Sequence, residues 1–232
     1  MSGFWILLLL TVIAVLPLIM VFFWFKARKL QITLPWFLIV IAAGIVSLFT
    51  AALIQNFLPQ PEKNGLGALL FGVFIRVAVI EEAGRLLTLI PLIKTANRFY
   101  GRKAAFNAAS IDTSSDASSA ASSAAAGLVA GLGFAAIENA FYGMADINIT
   151  LLRAFTAAPL HGACGIRIGA AIFEINRNPV KTISLFLSAV IIHGAYDLII
   201  VSPAIPSLLA AAVAFLALFV SIRLLKTNNS CY

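Results

Sequence analysis

The chain has 232 residues, of which 62% are hydrophobic and only 11% are charged. A soluble domain of this length could not cover its surface with so few charged side chains, so the composition indicates a multi-pass membrane protein in contact with the lipid bilayer. The net charge of +7 does not indicate nucleic acid as a partner, because the basic residues lie in short clusters between apolar runs.

Seven apolar runs are long enough, at about 20 residues each, to cross the roughly 30 Å hydrocarbon core of a bilayer. In chain order they are residues 4–25, 35–54, 68–93, 125–144, 150–173, 182–201 and 204–225. The runs predict an all-α polytopic integral membrane protein of about seven transmembrane helices. We expect a single membrane domain over residues 1–232.

The basic residues predict how the helices are oriented. Lys26, Arg28 and Lys29 directly follow the first run, and no basic residue precedes it. The positive-inside rule then places the N-terminus outside and, after seven crossings, the C-terminus in the cytoplasm. Residues 98–126, between the third and fourth runs, are rich in Ala and Ser and are predicted to be a cytoplasmic loop, either a flexible connector or a short interfacial helix.

Ionisable side chains inside four of the runs are the strongest functional signal. Glu81 and Glu82 lie in the third run, Glu138 in the fourth, His161 in the fifth and His193 in the sixth. An ionised group in hydrocarbon costs several kcal/mol unless it is paired, protonated or ligated. Each of the four helices would place its group roughly 16 to 20 Å from a membrane surface, so the groups should meet near the midplane.

Spacing within the helices predicts which groups are neighbours. Residues three or four positions apart share a helix face, which brings Arg85 close to Glu81 and Glu82, and His193 close to Asp197. Arg85 could neutralise and orient one glutamate, and Asp197 could hold the imidazole of His193 in one tautomer. A buried structural ion pair is the simpler interpretation, but it would require only one carboxylate.

Other polar and small residues of the fourth and fifth runs suggest packing. Glu138 and Asn139 could serve only as interhelical hydrogen-bond partners. Pairs of glycines four residues apart predict a close approach of helices around the site. These pairs are Gly127 with Gly131 and Gly165 with Gly169.

Four short motifs together resemble those of the PrsW family of intramembrane proteases, whose wider superfamily contains CAAX prenyl endopeptidases and the APH-1 subunit of gamma-secretase. They are Glu81-Glu82-x-x-Arg85, Phe134-x-x-x-Glu138-Asn139, Pro159-Leu-His161-Gly-Ala and His193-x-x-x-Asp197. The Glu-Asn pair favours PrsW, since the CAAX branch has histidine at that place. Family members often have lysine and asparagine where this chain has Arg85 and Asp197. The resemblance covers residues 68–201, which it identifies as the catalytic core.

The resemblance implies an intramembrane endopeptidase of a prokaryotic plasma membrane. Its substrate would be a single-pass membrane protein, such as an anti-sigma factor. The residues that would carry catalysis are Glu81, Glu82, His161 and His193. The residues that would support them are Arg85, Glu138, Asn139 and Asp197.

Two mechanisms of peptide hydrolysis remain open at this point. A glutamate could activate water as a general base while His161 and His193 donate hydrogen bonds to the oxyanion. Alternatively, Zn²⁺ could be held by His161, His193 and Glu138, with another glutamate as the base. The chain has no His-Glu-x-x-His sequence that would decide between them.

Three other functions could use the same residues. The first is a CAAX-type prenyl protein endopeptidase. The second is a proton-coupled transporter, since midplane Glu, His and Asp side chains also form proton relays, although no inverted repeat is apparent in the sequence. The third is a non-catalytic scaffold of the APH-1 sort, for which a doubled glutamate would have little use.

Overall fold

The fold was described from a computed structural model that covers residues 3–28, 32–59, 65–99, 115–143, 147–202 and 204–225. Its regular elements are α1 (Gly3–Ala27), α2 (Leu34–Phe57), α3 (Leu66–Leu70), a π-helical segment (Phe71–Val79), α4 (Ile80–Phe99), α5 (Ser115–Gly143), α6 (Ile147–Glu174), α7 (Pro179–Val201), α8 (Leu208–Ser221) and a 3₁₀ turn (Ile222–Leu225). Because α3, the π-helical segment and α4 are continuous, the described residues form seven rods. They correspond to the seven predicted runs and confirm an all-α polytopic fold.

Within the described residues, four helices are long and apolar enough to span a membrane by themselves. They are Leu34–Phe57, Ser119–Tyr142, Pro179–Val201 and Leu208–Leu225, and Val12–Ala27 is a shorter apolar helix. The continuous rod that ends in α4, and helix α6, are not among the four. Both carry charged side chains within their apolar stretches. The orientation of the chain in the membrane remains a prediction.

Two helices begin at side chains that satisfy free backbone N–H groups. The Thr33 hydroxyl accepts a hydrogen bond from the backbone N–H of Trp36 at the start of α2. The Asn178 side chain accepts one from the backbone N–H of Lys181, 3.0 Å away, at the start of α7. A proline follows at the first or second position of each helix, where no N–H is needed.

Helix α5 lies at the centre of the bundle and packs backbone to backbone against α6. A Cβ atom on Gly127 would overlap the carbonyl oxygen of Gly165, and one on Gly131 would overlap the carbonyl oxygen of His161. A Cβ on Gly169 would likewise overlap the carbonyl of Ser123. Only glycine permits this separation, which confirms the predicted packing role of the glycine pairs.

The predicted loop over residues 98–126 is too long. Helix α5 begins at Ser115, and its first half is buried at Ala121, Ala124 and Ala125. Alanine is the strongest helix former, and small side chains also suit a closely packed membrane helix, so the Ala/Ser composition indicates α5 rather than a connector. Residues 100–114 lie outside the described part of the chain.

The π-helical segment Phe71–Val79 was not predicted from the sequence. Wider π turns change the direction in which the following side chains point, and they occur often at functional sites. The segment packs against α7, where the Phe74 ring occupies the space that a Cβ on Gly194 would fill. This contact brings the beginning of α4, with Glu81 and Glu82, alongside His193 of α7.

Candidate active site

A buried polar cluster lies where α4, α5, α6 and α7 meet. Glu81 and Glu82 come from the first turn of α4, Glu138 from α5, His161 from α6 and His193 from α7. The two imidazole rings lie 5.0 Å apart between centroids and are nearly perpendicular, at 87°. The predicted site residues are therefore brought together by four separate helices.

Glu82 has both carboxylate oxygens engaged. Its Oε2 forms an ion pair with Nη1 of Arg85, and the side chains of both residues are fully buried. Its Oε1 lies 2.8 Å from Nδ1 of His193. A carboxylate paired with a guanidinium accepts hydrogen bonds, so Nδ1 of His193 is the donor. Glu82 therefore fixes the orientation of His193 and turns its Nε2 towards the rest of the site.

His161 also has both ring nitrogens engaged. Its Nδ1 lies 3.3 Å from Nη2 of Arg85, and its Nε2 lies 2.8 Å from Oε2 of Glu138. Because a guanidinium can only donate, Nδ1 is the acceptor and Nε2 carries the hydrogen. Glu138 is shared, since Nη2 of Arg153 lies 2.6 Å from the same oxygen. The neutral tautomer of His161 is thus determined by its two neighbours.

Glu81 differs from Glu82 in having one oxygen uncommitted. Its Oε1 accepts a hydrogen bond from Nε2 of Gln55 at 3.5 Å. Its Oε2 is buried, has no hydrogen-bond partner among the described residues, and lies 3.6 Å from Nε2 of His193. Oδ2 of Asp197 is also buried without such a partner in the described part of the chain, 3.4 Å from the same nitrogen. The imidazole edge of His193 therefore faces two carboxylate oxygens.

Exposure increases across the cluster in one direction. The side chain of Glu82 is fully buried and that of Glu81 is 9% exposed, whereas those of Glu138 and Asp197 are 17% and 22% exposed. Glu138 and Asp197 lie towards the C-terminal ends of α5 and α7, which end on the same side of the membrane in the predicted topology. The site is therefore more open towards that side, which the topology assigns to the outside.

Glu81, His161 and His193 could also hold a metal ion. Each offers a donor atom, these atoms lie within 4.8 Å of one another, and all three residues are buried. Nitrogen and carboxylate donors suit Zn²⁺, and the uncommitted Glu81 Oε2 is directed into the group. This group includes Glu81 where the sequence suggested Glu138, because Glu138 is held by Arg153 and His161. These three residue types therefore suit a zinc ion, which would replace one of the two hydrogen bonds that His161 makes.

Two residues that were not among the predicted site residues hold the cluster in place. The Gln55 side chain of α2 donates a hydrogen bond to Glu81. The backbone carbonyl of Gln55 accepts a hydrogen bond from Nη2 of Arg76 at 3.1 Å. Arg153 binds Glu138, and its Nε donates to Oδ1 of Asn139 at 3.1 Å. Because Arg153 is a charged residue inside an apolar run, the sequence could have indicated it as a partner in the cluster. For Gln55 the sequence gave no such indication, since spacing does not reveal which helices are neighbours.

A helical membrane bundle with buried carboxylates and imidazoles at its centre contains the acid, base and hydrogen-bond donor groups that hydrolysis inside a membrane requires. The family model of the PrsW family intramembrane metalloproteases matches residues 33–224. The match spans well over half of the chain, and the chain belongs to this family of intramembrane proteases. Neither curated proteins nor solved structures gave a significant match.

Proposed function

We propose that the protein hydrolyses a peptide bond of a single-pass membrane protein, such as an anti-sigma factor, in a prokaryotic plasma membrane. The observation that carries this proposal is the uncommitted Oε2 of Glu81, buried beside Nε2 of His193. A structural carboxylate would have both oxygens paired, as Glu82 does. A carboxylate held by one oxygen and open at the other suits a general base.

In this mechanism Glu81 takes a proton from a water molecule as the water oxygen attacks the scissile carbonyl carbon. The proton then passes from Glu81 to the amide nitrogen as the C–N bond breaks. Glu82 does not exchange protons, because Arg85 and His193 occupy both of its oxygens. It is a positioning residue that holds His193 in place.

The two histidines stabilise the negative charge that develops on the carbonyl oxygen. His193 donates from Nε2 when it is doubly protonated, and Asp197, 3.4 Å away, stabilises that cation. His161 supplies a second donor through Nε2–H, which in the resting arrangement is directed to Glu138. Donors fixed in advance in a buried site lower the barrier more than donors that must reorient in water.

A metal-assisted mechanism is the second candidate, favoured by the three converging donors. The residues that would hold zinc are Glu81, His161 and His193. Bound zinc would polarise the scissile carbonyl and add positive charge beside its oxygen. Glu82 would then orient the ligand His193 from behind through Nδ1–H, as hydrogen-bonded partners of metal ligands commonly do. His161 would become a ligand only by giving up its hydrogen bond with Arg85 or with Glu138, because both of its ring nitrogens are engaged.

The exposure of the cluster also bears on where the substrate is cut. Glu138 and Asp197 are the more accessible acids, and both lie on the predicted outer side of Glu82. A substrate helix entering from that side would meet Glu81 before Glu82. We therefore expect cleavage in the outer half of the substrate's membrane-spanning segment or just outside it.

The test is cleavage of a fluorescently labelled single-pass substrate by the purified full-length protein in lipid nanodiscs. Glu81→Gln keeps the size of the side chain and removes its basicity, so cleavage should fall to background. Glu174→Gln, a carboxylate outside the cluster that pairs with Lys181, is the matched control and should cleave normally. Normal cleavage by a correctly folded Glu81→Gln protein would refute the proposed role of Glu81.

Chelation separates the two mechanisms in the same assay. Loss of cleavage with 1,10-phenanthroline and recovery with Zn²⁺ would support the metal-assisted mechanism, with Glu81, His161 and His193 as the ligands. Full activity in a preparation shown by mass spectrometry to contain no metal would assign the reaction to Glu81 as the base. If no member of a broad substrate panel is cut by the folded wild-type protein, the proposed substrate class is wrong.

A further inference from the structure

A cavity of about 730 Å³ lies between α1, α5, α6 and α8, away from the polar cluster. The side chains that line it are apolar along its whole length, from Ile13 and Trp24 on α1 to Phe215 on α8 and Ile222 in the 3₁₀ turn. None of the lining residues carries a charge. The ligand that fits such a lining is a hydrocarbon chain.

The cavity and the polar cluster lie on different faces of α6. Ala158, Pro159 and Gly162 contribute to the wall of the cavity. His161, in the same turn, is directed instead to Arg85 and Glu138. The cavity is therefore separate from the candidate active site, but it borders the helical turn that carries His161.

The dimensions of the cavity match one leaflet of a bilayer. The residues that line it on α1 run from Ile13 to Trp24, and at 1.5 Å per residue they cover roughly 16 Å. Half of the hydrocarbon core of a bilayer is about 15 Å thick. An acyl chain that enters at Trp24 would therefore end near Ile13, at the midplane.

Basic residues follow the lining residues Trp24 and Ile222 in sequence, at one end of the cavity. Lys26 and Arg28 follow Trp24 at the end of α1, Arg223 follows Ile222, and all three are exposed. A lipid phosphate at this end would meet positive charge at the headgroup level.

We propose that this cavity binds an acyl chain of an anionic phospholipid from the leaflet on the basic side, with its phosphate at Lys26, Arg28 and Arg223. The bound chain fills the space behind Pro159 and Gly162 and so supports the turn of α6 that bears His161. Binding is selective for anionic lipids because the apolar wall accepts any acyl chain, whereas the basic end distinguishes headgroups by charge.

The natural tryptophans provide the test. The chain has three, and Trp5→Phe with Trp36→Phe leaves Trp24, which lines the cavity, as the sole emitter. This protein is placed in phosphatidylcholine nanodiscs that contain a small fraction of either brominated phosphatidylglycerol or brominated phosphatidylcholine. We expect brominated phosphatidylglycerol to quench the fluorescence of Trp24 at least threefold more per mole than brominated phosphatidylcholine does. Equal quenching by the two lipids would overturn the proposal.

Three variants distinguish binding in the cavity from general attraction to a basic surface. Lys26→Gln with Arg28→Gln and Arg223→Gln changes exposed residues and should abolish the preference. Arg177→Gln with Lys181→Gln changes basic residues on the same predicted side but outside the cavity and should preserve it. Val21→Phe fills part of the cavity and should reduce the preference although every basic residue is kept.

Either of two results would reject the lipid as the occupant. A full preference in the correctly folded Val21→Phe protein would show that the lipid binds only at the surface. Relief of quenching by a labelled substrate helix that competes for the cavity would assign the cavity to substrate instead. These readouts need no enzymatic activity, so they are independent of the proposed proteolysis.

Discussion

Nδ1 of His193 lies 2.8 Å from Oε1 of Glu82 and links α7 to the start of α4. The same carboxylate is paired with Arg85, so one glutamate holds both a histidine and an arginine. Glu81, its neighbour in sequence, has no comparable set of partners among the described residues. This asymmetry supports the proposed roles of Glu82 in positioning and of Glu81 as the base, and the two residues should respond differently to the same substitution.

Glu82→Gln should destabilise the protein. The change leaves the buried guanidinium of Arg85 without its counter-charge, and breaking a buried ion pair by removal of one partner costs about 3–5 kcal/mol. Thermal unfolding followed by circular dichroism in detergent should show a markedly lower midpoint than for the wild type. Glu174→Gln, which loses an ion pair at the end of α6, should differ little. A wild-type midpoint for Glu82→Gln would contradict the structural role of this pair.

Glu81→Gln, in contrast, should lower the rate of cleavage without lowering the stability of the protein. Removing a general base typically lowers the rate by about 10²- to 10⁴-fold, while loss of a buried carboxylate with one unpaired oxygen should not lower stability. The measurements are kcat for a cleaved substrate and the unfolding midpoint of the same preparation. Parallel loss of activity and stability would place Glu81 in the structure rather than in the chemistry.

Arg85→Lys should preserve the fold and reduce catalysis. A lysine ammonium can pair with Glu82 but cannot also present a second, rigidly placed donor to Nδ1 of His161. We expect kcat to fall by roughly tenfold, the scale of one buried hydrogen bond of about 1–1.5 kcal/mol, with KM nearly unchanged. Arg85→Met, which removes both contacts, should be destabilised as well. Equal kcat for wild type and Arg85→Lys would show that the His161 contact is dispensable.

Zinc binding by Glu81, His161 and His193 predicts a specific pattern of metal content. Purified wild-type protein loaded with Zn²⁺ should retain a bound ion after gel filtration, measured by mass spectrometry. Retention should be lost in His193→Ala and Glu81→Gln but kept in Glu138→Gln, since Glu138 is outside the group. If Glu138→Gln alone lost the bound zinc, the ligands would instead include Glu138, as the sequence suggested. Absence of retained zinc in the wild type would reject the metal-assisted mechanism.

The contact between α5 and α6 should not tolerate even one methyl group. A Cβ on Gly131 would overlap the carbonyl oxygen of His161, so Gly131→Ala must separate the helices and should cost about 1–3 kcal/mol. It should also lower activity through displacement of His161. Gly67→Ala is the matched control, because a Cβ on Gly67 would meet nothing within 4 Å. If both variants unfold at the same temperature, the close approach of α5 and α6 is not required.

The sequence predicted most of the helices and the membership of the site, because both follow from strong local signals. Apolar runs mark the spans, and Glu81, Glu138, His161 and His193 stand out as costly groups inside hydrocarbon. It did not predict the π-helical segment Phe71–Val79, since a wider turn leaves no mark in hydropathy. The composition of residues 115–126 was ambiguous, because Ala and Ser are frequent in loops and in closely packed helices alike.

The partners within the site could not be deduced from spacing. Spacing placed Arg85 near both glutamates, but only packing against α7 directs Glu82 to His193 and leaves Glu81 with an open oxygen. The contact of Gln55 with Glu81 depends on how α2 lies against α4, which no pattern in either helix encodes. Contacts between helices therefore decide which of two identical side chains keeps an open carboxylate oxygen.

The pairing of charges also bears on how the chain enters the membrane during synthesis. Glu82 and Arg85 neutralise each other within α4, and Glu138 and Arg153 do so across the two closely packed helices α5 and α6. Each inserting unit therefore carries its own counter-ions, which lowers the cost of transfer into lipid before the bundle has assembled. Glu81 has no counter-ion of its own in α4, and it reaches the imidazole of His193 only when α7 is in place. In the nascent chain Glu81 can therefore gain its contact with His193 only after the sixth rod has been inserted.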